Sequence, residues 1–295
     1  MTPESSTDPV APDAGTNRSI IALSCQDRPG IVHAVSGAIV AAEGNIAESQ
    51  QYLSPDTNRF FLRIEVDHVT PPSRLEATLA PVAERLGGRL TVERAGRPVR
   101  TLILVSTASH CLNALLSRWK QGTLPIDVSL VMANHPDLAP LAAFYGVPFE
   151  HYAVLPETKA WMEDRIRQVV ADHGIELVVL ARYMQILTPD LCADLAGRAI
   201  NIHHSFLPGF KGANPYRQAH ARGVKLIGAT AHFVTAELDE GPIIAQNVTG
   251  VNHSKSVAQL VEIGRDIESV TLSQAVRLFA EHRILVDGIR TVIFD

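Results

Sequence analysis

The apolar and polar positions of this chain fall into two stretches with different rhythms. In the first, SIIALSCQ (19–26) is a short apolar run that predicts a strand. A helical stripe follows, with Ile31, Val35, Ala38, Ile39 and Ala42 on one face. Asp27 is placed to cap that helix and Pro29 suits its first turn, while Gly44 and Asn45 tolerate the positive φ of a helix stop. NIAESQQYL (45–53) predicts a second strand and SPDTN (54–58) a turn. FFLRIEV (60–66) predicts a third strand, with Phe60, Leu62, Ile64 and Val66 facing one way. Ser73 and Glu76 have capping-box spacing ahead of Leu75, Leu79, Val82 and Leu86, and Pro81 inside that helix predicts a kink. GRLTVER (88–94) completes the order strand, helix, strand, strand, helix, strand, a ferredoxin-like α+β domain over residues 19–97.

AGRPVR (95–100) reads as a linker. Beyond it, apolar β-rich runs alternate with helical stripes. TLILVST (101–107), PIDVSLVMAN (125–134), VPFEHYAV, IELVVLARY (175–183), AINIHH (199–204) and LIGATAHFV (226–234) predict strands. LNALLSRW, HPDLAPLAAFYG and PETKAWMEDRIRQVVADHG (156–174) predict the helices between them. This alternation implies a Rossmann-like α/β domain over residues 100–295 with a mostly parallel sheet. Residues 253–284 read as one or two scaffold or subunit-contact helices, with Gly264 marking a bend.

Composition narrows the class. Hydrophobic residues make up 46% and charged residues 19%, which is globular. Residues 1–18 are rich in Pro, Ser, Thr and Asp and lack the apolar centre of a secretory signal, so they read as a disordered leader. No apolar run reaches the ~18 residues of a membrane span, and a net charge of −5 speaks against a nucleic-acid partner. The 3 cysteines lie far apart, without disulfide or zinc spacing, and predict reduced thiols in a cytoplasmic protein.

The candidate chemistry begins in INIHHSFLPGF (200–210), at the end of a predicted strand. Strand geometry points Asn201 and His203 one way, and Ile202 and His204 the other. Ligand sites in parallel sheets lie outside such carboxyl ends. The turn in TAELDEGPIIAQ (235–246) offers Asp239 as a carboxylate at the same edge. An amide donor, an imidazole and a carboxylate form an acid–base set. Metal binding and plain packing remain open readings of the Asn201–His203 pair by itself.

Two resemblances extend this reading. The strand followed by DRPGIV and a helix ending in EGNI resembles an ACT domain. The resemblance implies pairing of copies in a homo-oligomer. It also implies an amino-acid effector such as glycine or methionine, bound by Asp27, Arg28, Pro29, Gly30 and Ile31 with Gly44, Asn45 and Ile46. N-I-H, S-x-L-P, H-F-V and L-D-x-G-P-I-I in turn resemble the folate-dependent formyltransferase catalytic domain. On that resemblance Asn201, His203 and Asp239 are catalytic. Met184, Gln185, Ile186 and Leu187 receive the pterin largely through the main chain, and several transformylases carry Arg where this chain has Gln185. His204, Ser205, His232, Glu240 and Gly241 complete the substrate site, with no metal and no prosthetic group.

The formyl acceptor follows from a missing feature. Glycines let backbone N–H groups approach a phosphate, yet VSTASHCLNALL (105–116) has none, and the next is Gly122. Water is then the simplest nucleophile. The order of the two domains resembles the deformylase branch of the family, which splits 10-formyltetrahydrofolate into formate and tetrahydrofolate and feeds one-carbon and purine metabolism. The alternatives are formyl transfer to an amine such as glycinamide ribonucleotide, and a non-catalytic amino-acid sensor.

Overall fold

The computed structural model describes residues 17–207 and 215–295. Internal contacts divide the chain into two units after Ala95. The first unit contains β1 (Asn17–Gln26), α1 (Ile31–Ala41), β2 (Gly44–Ser54), β3 (Arg59–His68), α2 (Pro72–Leu86) and β4 (Arg89–Arg94). Its sheet is antiparallel, in the order β2-β3-β1-β4. The predicted stripe of α1 packs against Phe60, Leu62, Ile64 and Val66 of β3 and Leu75, Leu79 and Leu86 of α2. Each such buried side chain contributes roughly 1.5–3 kcal/mol.

Asn17 and Arg18 already belong to β1, and the rest of the predicted leader lies outside the described residues. Neither Asp27 nor Pro29 begins α1. The helix starts at Ile31 after Gly30, whose φ of 92° turns the chain without a side-chain cap. At the other end Glu43, not Gly44 or Asn45, takes the positive φ. Gly44 is required for a different reason: a Cβ there would lie 2.7 Å from Val66 Cγ1. Ser73 and Glu76 form no capping box, because Pro71 and Pro72 already set the start of α2. Pro81 does not end α2: it faces solvent, as does Ala77, whose carbonyl loses its helical partner to the proline and is left to water.

The second unit holds β5 (Val99–Val105), α3 (His110–Lys120), β6 (Ile126–Ala133), α4 (Ala139–Phe144), β7 (Phe149–His151), α5 (Lys159–Asp172), β8 (Leu177–Leu180) and α6 (Pro189–Asp194). It continues through β9 (Ala199–His203), α7 (Pro215–Arg222), β10 (Leu226–Phe233), β11 (Ile243–Gly250), α8 (Val257–Ala280) and the hairpin of β12 (Ile284–Asp287) and β13 (Arg290–Ile293). The main sheet runs β11-β10-β9-β8-β5-β6-β7. Its members from β9 through β7 are parallel, while β10 and β11 are antiparallel. Alternate strand residues feed two cores: Ile103, Val105 and Val179 pack towards α3 and α8, and Leu102, Leu104 and Leu180 towards α5 and α6. The chain leaves β5 for β6 on one side and later returns to β8 on the other. The carboxyl ends of β5 and β8 therefore flank a topological switch point, where a doubly wound sheet opens a crevice.

Candidate active site

That crevice is a cleft of about 680 Å³. It is lined by residues following β5, β8 and β9, by the end of β10 and its following loop, and by one side of α8. Asn201 and His203 project into it from the end of β9. Because β10 runs antiparallel to β9 with His232 opposite Asn201, the two side chains share a face, and Asn201 Nδ2 lies 3.3 Å from His232 Nε2. Asp239 arrives from the loop after β10 and places Oδ2 3.1 Å from His203 Nδ1 and Oδ1 3.5 Å from His232 Nε2.

The local sequence explains this convergence. Asp239 sits at φ 58°, a left-handed conformation that Asp tolerates better than most side chains. Two residues later the chain presses against the end of β10, where a Cβ on Gly241 would lie within 1.7 Å of the Phe233 carbonyl oxygen. Only glycine allows that approach, and the Phe233 N–H then donates to the Pro242 carbonyl at 2.9 Å. On the β9 side, the Thr230 hydroxyl donates to the Ser205 carbonyl at 2.9 Å and accepts the Leu207 N–H at 3.0 Å, which fixes the strand exit.

Hydrogen-bond logic assigns the rings. His232 Nδ1 lies 2.8 Å from the Phe233 carbonyl, which can only accept, so Nδ1 carries a proton. In a neutral His232, Nε2 then accepts from Asn201; in a protonated one it donates to Asp239. His203 Nδ1 likewise donates to Asp239, and its Nε2 is buried with no hydrogen-bond partner among the described residues. Burial pushes the Asp239 carboxyl up, but hydrogen bonds from His203 and His232 outweigh it and hold the group well below the usual carboxylate range. Burial, reinforced by the charge of Arg182, pushes His204 down to about 4, so its imidazole is neutral near pH 7.

The segment after β8 forms the apolar wall. Ser106 Oγ accepts the Met184 N–H at 2.9 Å and Glu163 Oε1 accepts the Thr188 N–H at 2.9 Å, so the segment is pinned at both ends. Between them, the peptide groups of Gln185, Ile186 and Leu187 make no hydrogen bond within the described residues. Met184 and Ile186 are exposed apolar side chains on this wall.

Of the substrate residues expected from sequence, Met184, Gln185, Ile186, Leu187, His204 and His232 line the cleft. Ser205, Glu240 and Gly241 do not; they belong to the strand exit and the turn that present their neighbours. Residues that sequence reasoning missed are also present: Ala108 and His110 after β5, Arg182 after β8, Tyr216 of α7, and Val261, Arg265 and Glu268 of α8. The helix expected to be plain scaffold therefore supplies a cleft wall. Its Gly264 lies inside the single helix α8; a Cβ there would lie 2.0 Å from the Tyr216 hydroxyl, so the glycine makes room for that ring.

His110, Cys111 and Glu268 bring possible ligand atoms within 4.8 Å of one another. The donor set fits a metal poorly. Glu268 already takes Tyr216 and Arg182, and burial pushes the Cys111 thiol far above its usual range, away from the thiolate a metal needs.

In the first unit the two predicted effector segments do not converge within one chain. Gln26, just before Asp27–Ile31, pairs with Arg59, whereas Gly44 of Gly44–Ile46 pairs with His68 at the other end of β3. About 30 Å of strand separates those ends.

Comparison with known proteins now decides the family. Residues 99–276 match the formyl transferase family and residues 19–80 the ACT domain family. A formyltetrahydrofolate deformylase of Corynebacterium sp. (strain P-1) is 45% identical over 94% of this chain and 98% of its own. The chain belongs to the formyltetrahydrofolate deformylase family. The crystal structure of the Burkholderia mallei deformylase matches with 48% identity and a TM-score of 0.91, covering 95% of this chain and 100% of that one. A glycinamide ribonucleotide transformylase from Symbiobacterium toebii matches with 32% identity and a TM-score of 0.64, and covers only 68% of this chain. A deformylase thus shares both units, while the transformylase match spans about two thirds of the chain.

Proposed function

We propose that this chain hydrolyses 10-formyltetrahydrofolate to formate and tetrahydrofolate, with Asn201, His203 and Asp239 as its catalytic groups. One observation carries the assignment of the groups: an amide, an imidazole whose Nε2 has no partner among the described residues, and an ionised carboxylate meet at one cleft wall. The folate enters with its pterin against Met184–Leu187, where unpaired peptide groups offer edge hydrogen bonds and Met184 and Ile186 offer apolar contact. The N10 formyl group then lies toward Asn201 and His203.

Water adds to the formyl carbon and negative charge develops on its oxygen. Asn201 Nδ2 and a protonated His203 Nε2 donate to that oxygen, each such preorganised donor being worth roughly 2.7–4 kcal/mol. Asp239 holds His203 as the cation through Nδ1. His204 is neutral, and its lone pair orients the attacking water. Collapse breaks the C–N10 bond, the leaving nitrogen takes a proton, and formic acid ionises to formate.

Water as acceptor is favoured by the turn after β5. Side chains fill it: Ser106 Oγ donates to Asn134 Oδ1 at 2.7 Å, and His110 is tied to Glu268. No glycine there opens a backbone cradle for a phosphate. The test is steady-state formate release by the purified chain with no amine added. Turnover that is lost in Asp239→Asn supports the reading; a chain that binds amino acids but releases no formate is the non-catalytic sensor instead.

A further inference from the structure

The cleft contains a second polar assembly, outside the groups used above. Glu268 is buried in the middle of α8 at 2% exposure. It accepts from the Tyr216 hydroxyl at 2.7 Å, lies 2.8 Å from His110 Nε2 and pairs with Arg182 Nε at 3.4 Å. Three separate segments therefore converge on one carboxylate, and Gly264, one turn earlier on the helix, makes room for the Tyr216 ring. Burying such ions costs stability unless something else is gained. Burial pushes the Glu268 carboxyl up, but His110, Arg182 and Tyr216 bring it below its usual value, so it stays ionised.

Arg182 is the unusual member. It follows β8 with φ 64°, a conformation that costs a non-glycine residue energy and is found where surrounding structure enforces it. Its guanidinium lines the same cleft as His203 and His204, with its side chain only 17% exposed. Nε is buried and close enough to Glu268 to pair as a charge but not aligned as a hydrogen bond. The terminal nitrogens hydrogen-bond nothing among the described residues. A guanidinium fork with unspent donors matches the two oxygens of a carboxylate.

We propose that Arg182 is the cation of a small-carboxylate subsite, held in place by Glu268, His110 and Tyr216, and that it receives the formate set free beside His203. The inference rests on the hydrolytic reading above. Hydrolysis forms a C–O bond from water and breaks the C–N bond, whose electron pair leaves with nitrogen. One proton goes to that nitrogen, and the second is lost as formic acid ionises. The product is a one-carbon anion beside the negative Asp239, which repels it. Arg182 offers the compensating charge, and Arg265 of α8 is a second, exposed cation lining the cleft. Glu268 shares the charge of Arg182, so the subsite holds formate loosely, as release of a product requires. The carboxylates of the folate tail have the same chemistry and are the competing occupant.

The test titrates ¹³C-formate into the full-length protein by NMR and measures inhibition of turnover by sodium formate against sodium chloride at equal ionic strength. Wild type, Arg182→Gln, Arg182→Lys and Glu268→Gln are compared, each checked for a native circular dichroism spectrum and melting transition. Arg182→Gln should weaken formate binding by about tenfold or more, the loss of one charge-assisted hydrogen bond, with Arg182→Lys between it and wild type. Glu268→Gln keeps the shape but frees the charge of Arg182, so it should tighten formate binding several-fold, an outcome a purely structural carboxylate would not produce. Formate binding equal in wild type and Arg182→Gln, or unchanged in Glu268→Gln, overturns the subsite. A raised KM for the folate in Arg182→Gln with formate inhibition intact assigns Arg182 to the folate tail and also overturns it. The two readings fail separately. Arg182-dependent formate binding without turnover leaves the subsite standing and removes the hydrolytic reading. Turnover with Arg182-independent formate binding does the reverse.

Discussion

At the scale of single residues, Asp239 is the group on which the proposed chemistry turns. It faces two imidazoles and accepts from His203 Nδ1, so Asp239→Asn removes both the charge that steadies the His203 cation and the carboxylate that orients its ring. Turnover in a formate-release assay should fall by on the order of 10⁴-fold, the scale seen when a buried Asp that orients a catalytic His is neutralised. Its pH behaviour has a defined sign. A carboxyl whose folded pKa is depressed contributes stability that is fully present above its unfolded value of about 3.9 and lost as pH falls through the folded value. The stability difference between wild type and Asp239→Asn, measured by denaturant melts, should therefore change in the mutant's favour below about pH 4. In the proposed chemistry His232 positions Asn201, whose amide lies 3.3 Å from its Nε2. His232→Ala should lower kcat by up to about a hundredfold, the scale of a small misplacement, while KM for the folate moves much less.

At the scale of elements, two glycines join the sheet to the site. Gly241 lets the Asp239 loop lie against the end of β10, where any Cβ would overlap the Phe233 carbonyl. Gly241→Ala should cost stability and displace Asp239, so the thermal midpoint and turnover should fall together in a melting scan and a formate assay. Gly264→Ala drives a methyl group into Tyr216, and overpacking of this kind costs roughly 1–3 kcal/mol. This scale also shows what sequence reading reached. The strands, the stripe of α1, and the pairing of Asn201 with His203 were legible because period-2 and period-3.6 patterns report burial directly. The Asp239 loop was legible as a carboxylate between two apolar runs. Arg182, His110 and Glu268 were not, because they lie in three distant segments and each reads alone as an ordinary polar residue; only the sheet order brings them together. Caps were misread for a similar reason: Asp27 and Ser73 had the right chemistry, but Gly30 and the Pro71–Pro72 pair had already set the helix starts in the backbone.

At the scale of the whole molecule, an ACT unit built on a four-stranded sheet and a catalytic unit built on a seven-stranded sheet share one chain. Among the described residues no helix is long and apolar enough to cross a membrane. The separation of Asp27–Ile31 from Gly44–Ile46 bears on regulation: an effector touching both segments needs them from two copies of the chain. We propose a homo-oligomer paired through this unit with glycine or methionine as effector. Calorimetric titration should then give binding only under conditions where light scattering shows more than a monomer, and binding by a monomer would remove the shared-site reading.

The central claim is that water, not an amine, takes the formyl group at Asn201, His203 and Asp239. Its most direct test is turnover of 10-formyltetrahydrofolate in ¹⁸O-enriched water with glycinamide ribonucleotide present, read by mass spectrometry. The account predicts formate carrying one ¹⁸O atom, in step with tetrahydrofolate, and no formylated ribonucleotide. Formylated ribonucleotide with no labelled formate would contradict it.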